Sequence, residues 1–411
     1  MKMLKISYIL FCILPLILAI PFTEQENELN ENLYSIFDKV LSPDELIRKE
    51  GYTAETHQIV TEDRYILDVH RISESPKSST KNKPAVLLVH GVFDCSATWL
   101  IPGPGKGLGF LLADLGYDVW MINVRGNRYA REHLDMNILD KNYWNFSWHE
   151  IGVYDIPATI DYVLEKTNKE KIFIISHSQG GSAFFVTASE RPEYQNKIIA
   201  SFSMAPAVFM SRTNNPLFKI LAPFSNDIKY LTKLIGMYEF KPTNKLIQML
   251  GKKLCKEGEL LQPICQNIVF LFGGIDKELN MTLLPLITQY DPAGSSVNQF
   301  VHFAQLIHSG KFRKYDYGII GNLKKYGKIQ PPDYELAKIK IPVHLYYAAN
   351  DMFINVEDLN DLYKALPNAQ KFLVPSNTFA HLDFVWGKHV DVLVYNQIFA
   401  FMERYKKEQL I

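Results

Sequence analysis

Ser176-His177-Ser178-Gln179-Gly180-Gly181 is the stretch of this sequence best suited to covalent chemistry. It follows the apolar run 171–176 (KIFIIS) and opens a segment with helical periodicity, so Ser178 stands at a strand-to-helix turn. Such a turn lifts its side chain clear of the backbone beside a helix N-terminus, where unpaired N–H groups favour negative charge. The chemistry would be nucleophilic acyl transfer. Ser178 would attack a carbonyl carbon, and the Gln179 backbone N–H would be one donor to the oxyanion that forms. Gly180 lets strand and helix approach; Ser176 is small enough for its place but carries a hydroxyl. Taken alone, the motif also fits a glycine-rich turn with no chemistry.

A nucleophilic serine needs a base, and the base an acid to orient it. Asp351 follows the apolar run 342–347 (PVHLYY), and His381 follows the run 370–374. Both are expected at carboxyl ends of strands, where ligands bind in open parallel sheets. The order Ser178, Asp351, His381 is the one that a nucleophile elbow uses. Two rival acids are weaker: Asp383 is too close to His381 in sequence, and Asp361 falls on a helix face. The loop His90-Gly91-Val92-Phe93 follows another apolar run and offers the Val92 N–H as second oxyanion donor. His90 is expected to pack behind that loop with its ring bonded to backbone, and His177 to point away from the nucleophile. No metal site and no cofactor are expected. HExxH and paired CxxC are missing, and 103–109 (GPGKGLG) lacks the ending of a phosphate-binding loop.

These side chains require a particular scaffold. Strand-like runs at 84–90, 117–124, 171–176 and 198–204 alternate with helical stretches at 107–115, 150–166 and 180–190. That is the pattern of an α/β, doubly wound and mostly parallel sheet. Pro157 lies within the helical stripe of 150–166 and predicts a start or a kink there. The alternation pauses over 206–325, which reads as helical with proline breaks, and resumes for 326–411. One core, 22–205 plus 326–411, interrupted by a helical cap and lid at 206–325, accounts for this better than two tandem domains. Lys+Arg and Asp+Glu both number 44, so no broad basic surface for nucleic acid is expected. With 47% apolar and 21% charged residues among 411, the chain can bury a large core.

Residues 1–21 read as a signal peptide: Lys2 and Lys5, then a 15-residue apolar run that is short for a membrane span. No other run is long and apolar enough to span. A secreted or lysosomal destination is expected. In that setting Asn145 and Asn280 are candidate glycosylation sites. Cys255 and Cys265 enclose a short loop, either as a local disulfide or as two buried thiols, and Cys95 is left free.

Several blocks together resemble the acid lipase family of gastric and lysosomal acid lipases. They are HGVFDCSATW (90–99), FLLADLGYDVWMINVRGN (110–127), FSWHEIG (146–152), SHSQGG (176–181), YDPAGSS (290–296) and HLDFVWG (381–387). The resemblance runs from about residue 45 to 405. It implies the α/β-hydrolase fold and a triad on Ser178, Asp351 and His381, with oxyanion donors at Val92 and Gln179. It also implies a disulfide between Cys255 and Cys265. The substrates it implies are neutral lipids at a lipid–water interface: triacylglycerols, and cholesteryl esters. A short-chain carboxylesterase and a non-catalytic lipid-binding protein on the same fold are the alternatives. The sequence departs from the family at Ser176 and Arg64, where glycine is usual, at Ala380, where asparagine is usual, and at Met352, where tryptophan is common.

Overall fold

The computed structural model describes residues 40–224, 230–232, 234–241 and 277–408. The expected signal segment, Cys255 and Cys265 lie outside them.

The chain folds around one twisted sheet. Its strands are β1 (Thr53–Val60), β2 (Tyr65–Glu74), β3 (Ala85–Val89), β4 (Asp118–Ile122), the short β5 (Glu132–His133), β6 (Ile172–His177), β7 (Ile198–Met204), β10 (Val343–Tyr347) and β11 (Ala369–Leu373). Between β7 and β10, two-residue strands β8 (Glu239–Phe240) and β9 (Ser295–Ser296) pair antiparallel with each other. The order across the main sheet is β1-β2-β4-β3-β6-β7-β10-β11, with β5 against β2. From β4 to β11 every pairing is parallel, whereas β1, β2 and β5 join antiparallel. The fully buried runs of β3 and β4 are those of strands covered on both faces.

Strand order decides where chemistry can occur. β3 is followed in sequence by β4 on one side, and the chain then crosses to place β6 on the other. The loops leaving β3 and β6 therefore diverge and open a crevice at their carboxyl ends. The loop after β3 holds Val92, and the turn after β6 holds Ser178.

Pro157 stands in the first turn of the α-helical segment that follows a π-helical turn. The helix begins at Trp148, passes through a π-helical turn at Ile151–Asp155, and continues as α-helix over Ile156–Thr167. Pro157 has no N–H for the ladder, and the wider turn absorbs the gap: Ile156 N–H reaches back to the Ile151 carbonyl. The turn also leaves the Gly152 carbonyl to accept the Thr187 hydroxyl at 2.6 Å. A side chain on Gly152 would come within 2.5 Å of Val186 Cβ, so a glycine here sets how closely this helix packs on Gln179–Glu190. All residues of that second helix from Gln179 to Ser189 are buried, which holds the elbow from behind.

The described residues between β7 and β10 include helices at Pro216–Leu221, Leu284–Tyr290, Val297–Ser309 and Gly318–Tyr326. No helix among the described residues is long and apolar enough to cross a membrane.

Candidate active site

Ser178 caps the helix Gln179–Glu190 with φ 53° and ψ −118°, a left-handed conformation that costs a non-glycine residue about 1–3 kcal/mol. The surroundings enforce it. Ser178 N–H donates to the Met204 carbonyl at 3.0 Å, and its own carbonyl accepts the Gly181 N–H at 2.9 Å. A side chain on Gly180 would run into the Val89 carbonyl oxygen, and one on Gly181 would come within 2.6 Å of Pro206 Cβ. Ser176, the departure from glycine, fits because its hydroxyl points to β7 and donates to Ser203 Oγ at 3.1 Å.

His381 and Asp351 come to Ser178 from loops far away in sequence. His381 Nε2 is 2.8 Å from Ser178 Oγ, and His381 Nδ1 is 2.8 Å from Asp351 Oδ2. A carboxylate only accepts, so Nδ1 carries the ring proton and Nε2 is left to accept from the serine hydroxyl. Asp351 Oδ1 takes the N–H groups of Phe353 and Ile354 at 2.8 and 3.0 Å. The acid is thus fixed by its own loop, and that loop is fixed in turn. Asn350 donates to the Thr378 carbonyl, and the Met352 carbonyl accepts from Asn214 and Thr213.

The other sequence candidates fall as follows. Asp383 accepts the Ala380 N–H at 2.7 Å and shapes the turn that presents His381. Asp361 pairs with Arg212 at the surface. His90 is buried. Its Nε2 accepts the Val124 N–H at 3.2 Å, so its Nδ1–H donates to the Gly91 carbonyl at 2.8 Å. Burial depresses its pKa to about 4, which keeps it neutral. His177 donates from Nε2 to the His381 carbonyl at 3.0 Å, a structural role, and burial holds its pKa well below the usual value. Cys95 is free and buried, with its thiol pushed up by desolvation. Asn145 is exposed, and Asn280 is half-buried with its side-chain oxygen accepting from Thr282.

Of the two expected oxyanion donors, Gln179 is the first residue of its helix, so its N–H has no intrahelical partner. Gly91, the residue before Val92, lies against the nucleophile: a side chain there would be 3.4 Å from Ser178 Cβ. Arg64, in place of glycine, keeps the left-handed backbone (φ 75°) and donates from Nη2 to Asp135 at 2.8 Å.

Sequence reasoning missed an aromatic wall. Phe353 lies 4.9 Å from the His381 ring, Phe218 is 5.5 Å from Phe353, and Phe300 is 6.3 Å from Phe218. Phe300 in turn meets Phe93 and Phe240 at 4.6 and 4.9 Å. The wall runs from the histidine to the residue after Val92 and draws on segments scattered over most of the chain. Only Phe353, two residues past Asp351, and Phe93, within a quoted motif, carried any signal.

The sheet order, the elbow after β6 and the helices on both faces are those of an α/β-hydrolase. The comparisons narrow the class. A family model described as the partial alpha/beta-hydrolase lipase region matches residues 43–103, and one for the alpha/beta hydrolase fold matches 84–230. Lipase 3 of Drosophila melanogaster is 44% identical over 365 residues, covering 88% of this chain and 93% of its own. Gastric triacylglycerol lipase of Mus musculus is 36% identical over 366 residues, covering 87% and 90%. A crystal structure of a putative lipase from Acinetobacter baumannii matches with TM-score 0.53 at 16% identity over 90% of this chain and 99% of that one, a likeness of fold. The chain belongs to the acid lipase family and is a lipase, a carboxylic ester hydrolase.

Proposed function

We propose that this lipase cleaves neutral lipid esters through an acyl-enzyme on Ser178. The observation that carries the reading is the pair of 2.8 Å contacts joining Ser178 Oγ, His381 and Asp351. His381 Nε2 takes the hydroxyl proton as Oγ attacks the ester carbonyl, and Asp351 stabilises the imidazolium that results. The N–H groups of Val92 and Gln179 bind the oxyanion. His381 then gives its proton to the leaving alcohol, and water, activated by the same ring, releases the fatty acid.

The substrate class rests on the aromatic wall and on the family. Phe353, Phe218, Phe300 and Phe93 form a run of apolar rings that begins against the His381 ring, suited to an acyl chain and unsuited to a charged substrate. The similarity to gastric triacylglycerol lipase favours triacylglycerols, with cholesteryl esters as a further substrate. Residues 206–325 act as cap and lid, and 22–205 with 326–411 as the core. Processing follows the secretory route: removal of 1–21, a disulfide between Cys255 and Cys265, glycans on Asn145 and Asn280, and delivery outside the cell or to the lysosome.

A fluorophosphonate probe tests the nucleophile. The account expects one modified peptide, bearing the label on Ser178, and no labelling of Ser178→Ala. Label elsewhere, or equal labelling of that variant, would remove Ser178 from the role.

A further inference from the structure

Behind the oxyanion loop sits an acidic group that the acyl-transfer chemistry does not use. The carboxylates of Asp94 and Asp291 and the thiol of Cys95 come within 4.8 Å of one another. Both aspartates lie in segments singled out in the sequence, HGVFDCSATW and YDPAGSS.

The two carboxyl groups have different surroundings. Asp94 Oδ1 accepts the Cys95 N–H at 2.8 Å, and the Gly91 backbone also favours its charged form. One carboxylate therefore ties both ends of the turn that carries Val92. The turn needs tying: Phe93, next to Val92, has φ 67°, strained for a residue with a side chain. Asp291 arrives from the other side, between the helices Leu284–Tyr290 and Val297–Ser309. Two residues on, the Ala293 N–H donates to the Phe93 carbonyl. Both Asp291 oxygens are buried, and no backbone or side-chain N–H among the described residues is bonded to either.

Two buried carboxylates this close do not both ionise; they share a proton. Asp94 has N–H donors that reward a negative charge, and Asp291 has none, so the proton rests on Asp291. We propose that Asp291 and Asp94 are a positioning pair, in which the protonated Asp291 carboxyl donates to the Asp94 carboxylate and so holds the oxyanion turn at Val92. Loss of that proton at alkaline pH puts two negative charges side by side and releases the turn. The inference rests on the reading of Val92 as an oxyanion donor.

The neighbours agree with this. Burial, with each carboxyl beside the other, pushes Asp291 well above the ordinary carboxylate range and raises Asp94 as well. The Cys95 thiol is kept neutral by burial, as are the Tyr129 and Tyr290 phenols. Among the described residues Arg128 is the cation whose charge acts on Asp291, and it favours ionisation there. An arginine and a neutral thiol beside the pair make it a poor cation site, and a shared proton a good fit.

Asp291→Asn and Asp94→Asn test this, with kcat and KM followed from pH 5 to pH 9 on a soluble short-chain ester. An asparagine at 291 still donates to Asp94 but cannot ionise. The ratio of kcat at pH 9 to kcat at pH 6 should rise at least fivefold over wild type. At position 94 the turn loses its charged acceptor, and kcat should drop tenfold or more at every pH with KM changed less than twofold. A wild-type pH profile in Asp291→Asn, or a wild-type kcat in Asp94→Asn, would overturn the proposal. Circular dichroism checks folding, and Asp291→Asn decides alone if the other variant is unfolded. Ser178→Ala separates the two claims: activity retained there overturns the site, whereas wild-type behaviour of both aspartate variants beside an inactive Ser178→Ala overturns only the pair.

Discussion

Two halves meet at Ser178, and they are built differently. The core half brings Ser178, the Gly91–Val92 turn, Asp351 and His381 from the carboxyl ends of parallel strands, and it works through directed polar contacts. Asp351 alone accepts three hydrogen bonds, two of them from its own loop. The other half is dominated by residues between β7 and β10 and offers aromatic surface: Phe218, Phe240 and Phe300 extend a wall that Phe353 and Phe93 begin. Directed contacts fix one geometry for one bond-making event, whereas apolar surface accepts many shapes of similar size. On the proposed reading the labour divides: the core half would set the rate of ester cleavage, and the other half which esters are cleaved.

Substitutions can break that division. Asp351→Asn is expected to have the largest effect. The amide can donate to the histidine, favours the wrong tautomer and does not stabilise the imidazolium, so kcat should fall about 10⁴-fold on every ester. Steady-state kinetics on one long and one short acyl ester check this, and a loss confined to one of them would erase the division. Phe300→Ala is expected to act the other way. It should lower kcat/KM on the long-chain ester about tenfold relative to the short one, as loss of part of a buried aromatic contact implies. Equal losses on both esters would place the wall in the core half's role.

The smallest effect concerns stability and sharpens what the core half costs. His344 is buried between Phe202 and Phe401, with Nε2 3.0 Å from the Tyr405 hydroxyl. Burial lowers its pKa from 6.5 to about 4. The unfolded chain therefore binds a proton between those values that the folded chain refuses. The contribution of His344 is complete above pH 6.5 and is lost as pH falls toward 4, at up to about 1.4 kcal/mol per pH unit. In His344→Phe that loss is absent, so its Tm should fall less than that of wild type between pH 6.5 and pH 5. Parallel declines in thermal melts would contradict the assignment.

How much could be read from the sequence follows the same divide. Strands β3, β4, β6 and β7 were legible because parallel strands covered on both faces are short apolar runs. The elbow was legible because only small residues survive beside the Val89 carbonyl and Pro206. Asp351 and His381 could be found because their place at strand ends follows from sheet topology. The helix at Pro157 was foreseen as a start or kink, yet the π turn depends on Thr187 and Val186 from another helix. The aromatic wall was illegible for a similar reason. Phe218 and Phe300 are ordinary core-type residues in sequence, and only the fold brings them into line with His381. The Asp94–Asp291 pair stood in plain view within two quoted blocks, but nothing local says that residues 197 positions apart are neighbours.

Fatty acid release from an emulsified long-chain triacylglycerol and from a short soluble ester decides whether this protein is a Ser178-dependent lipase. Wild type and Ser178→Ala should be compared as secreted, folded proteins. The account predicts that wild type hydrolyses the emulsion in preference and that Ser178→Ala loses about 10⁶ in turnover on both substrates. Activity on the short ester alone would make the protein a carboxylesterase, and undiminished turnover in Ser178→Ala would contradict the account outright.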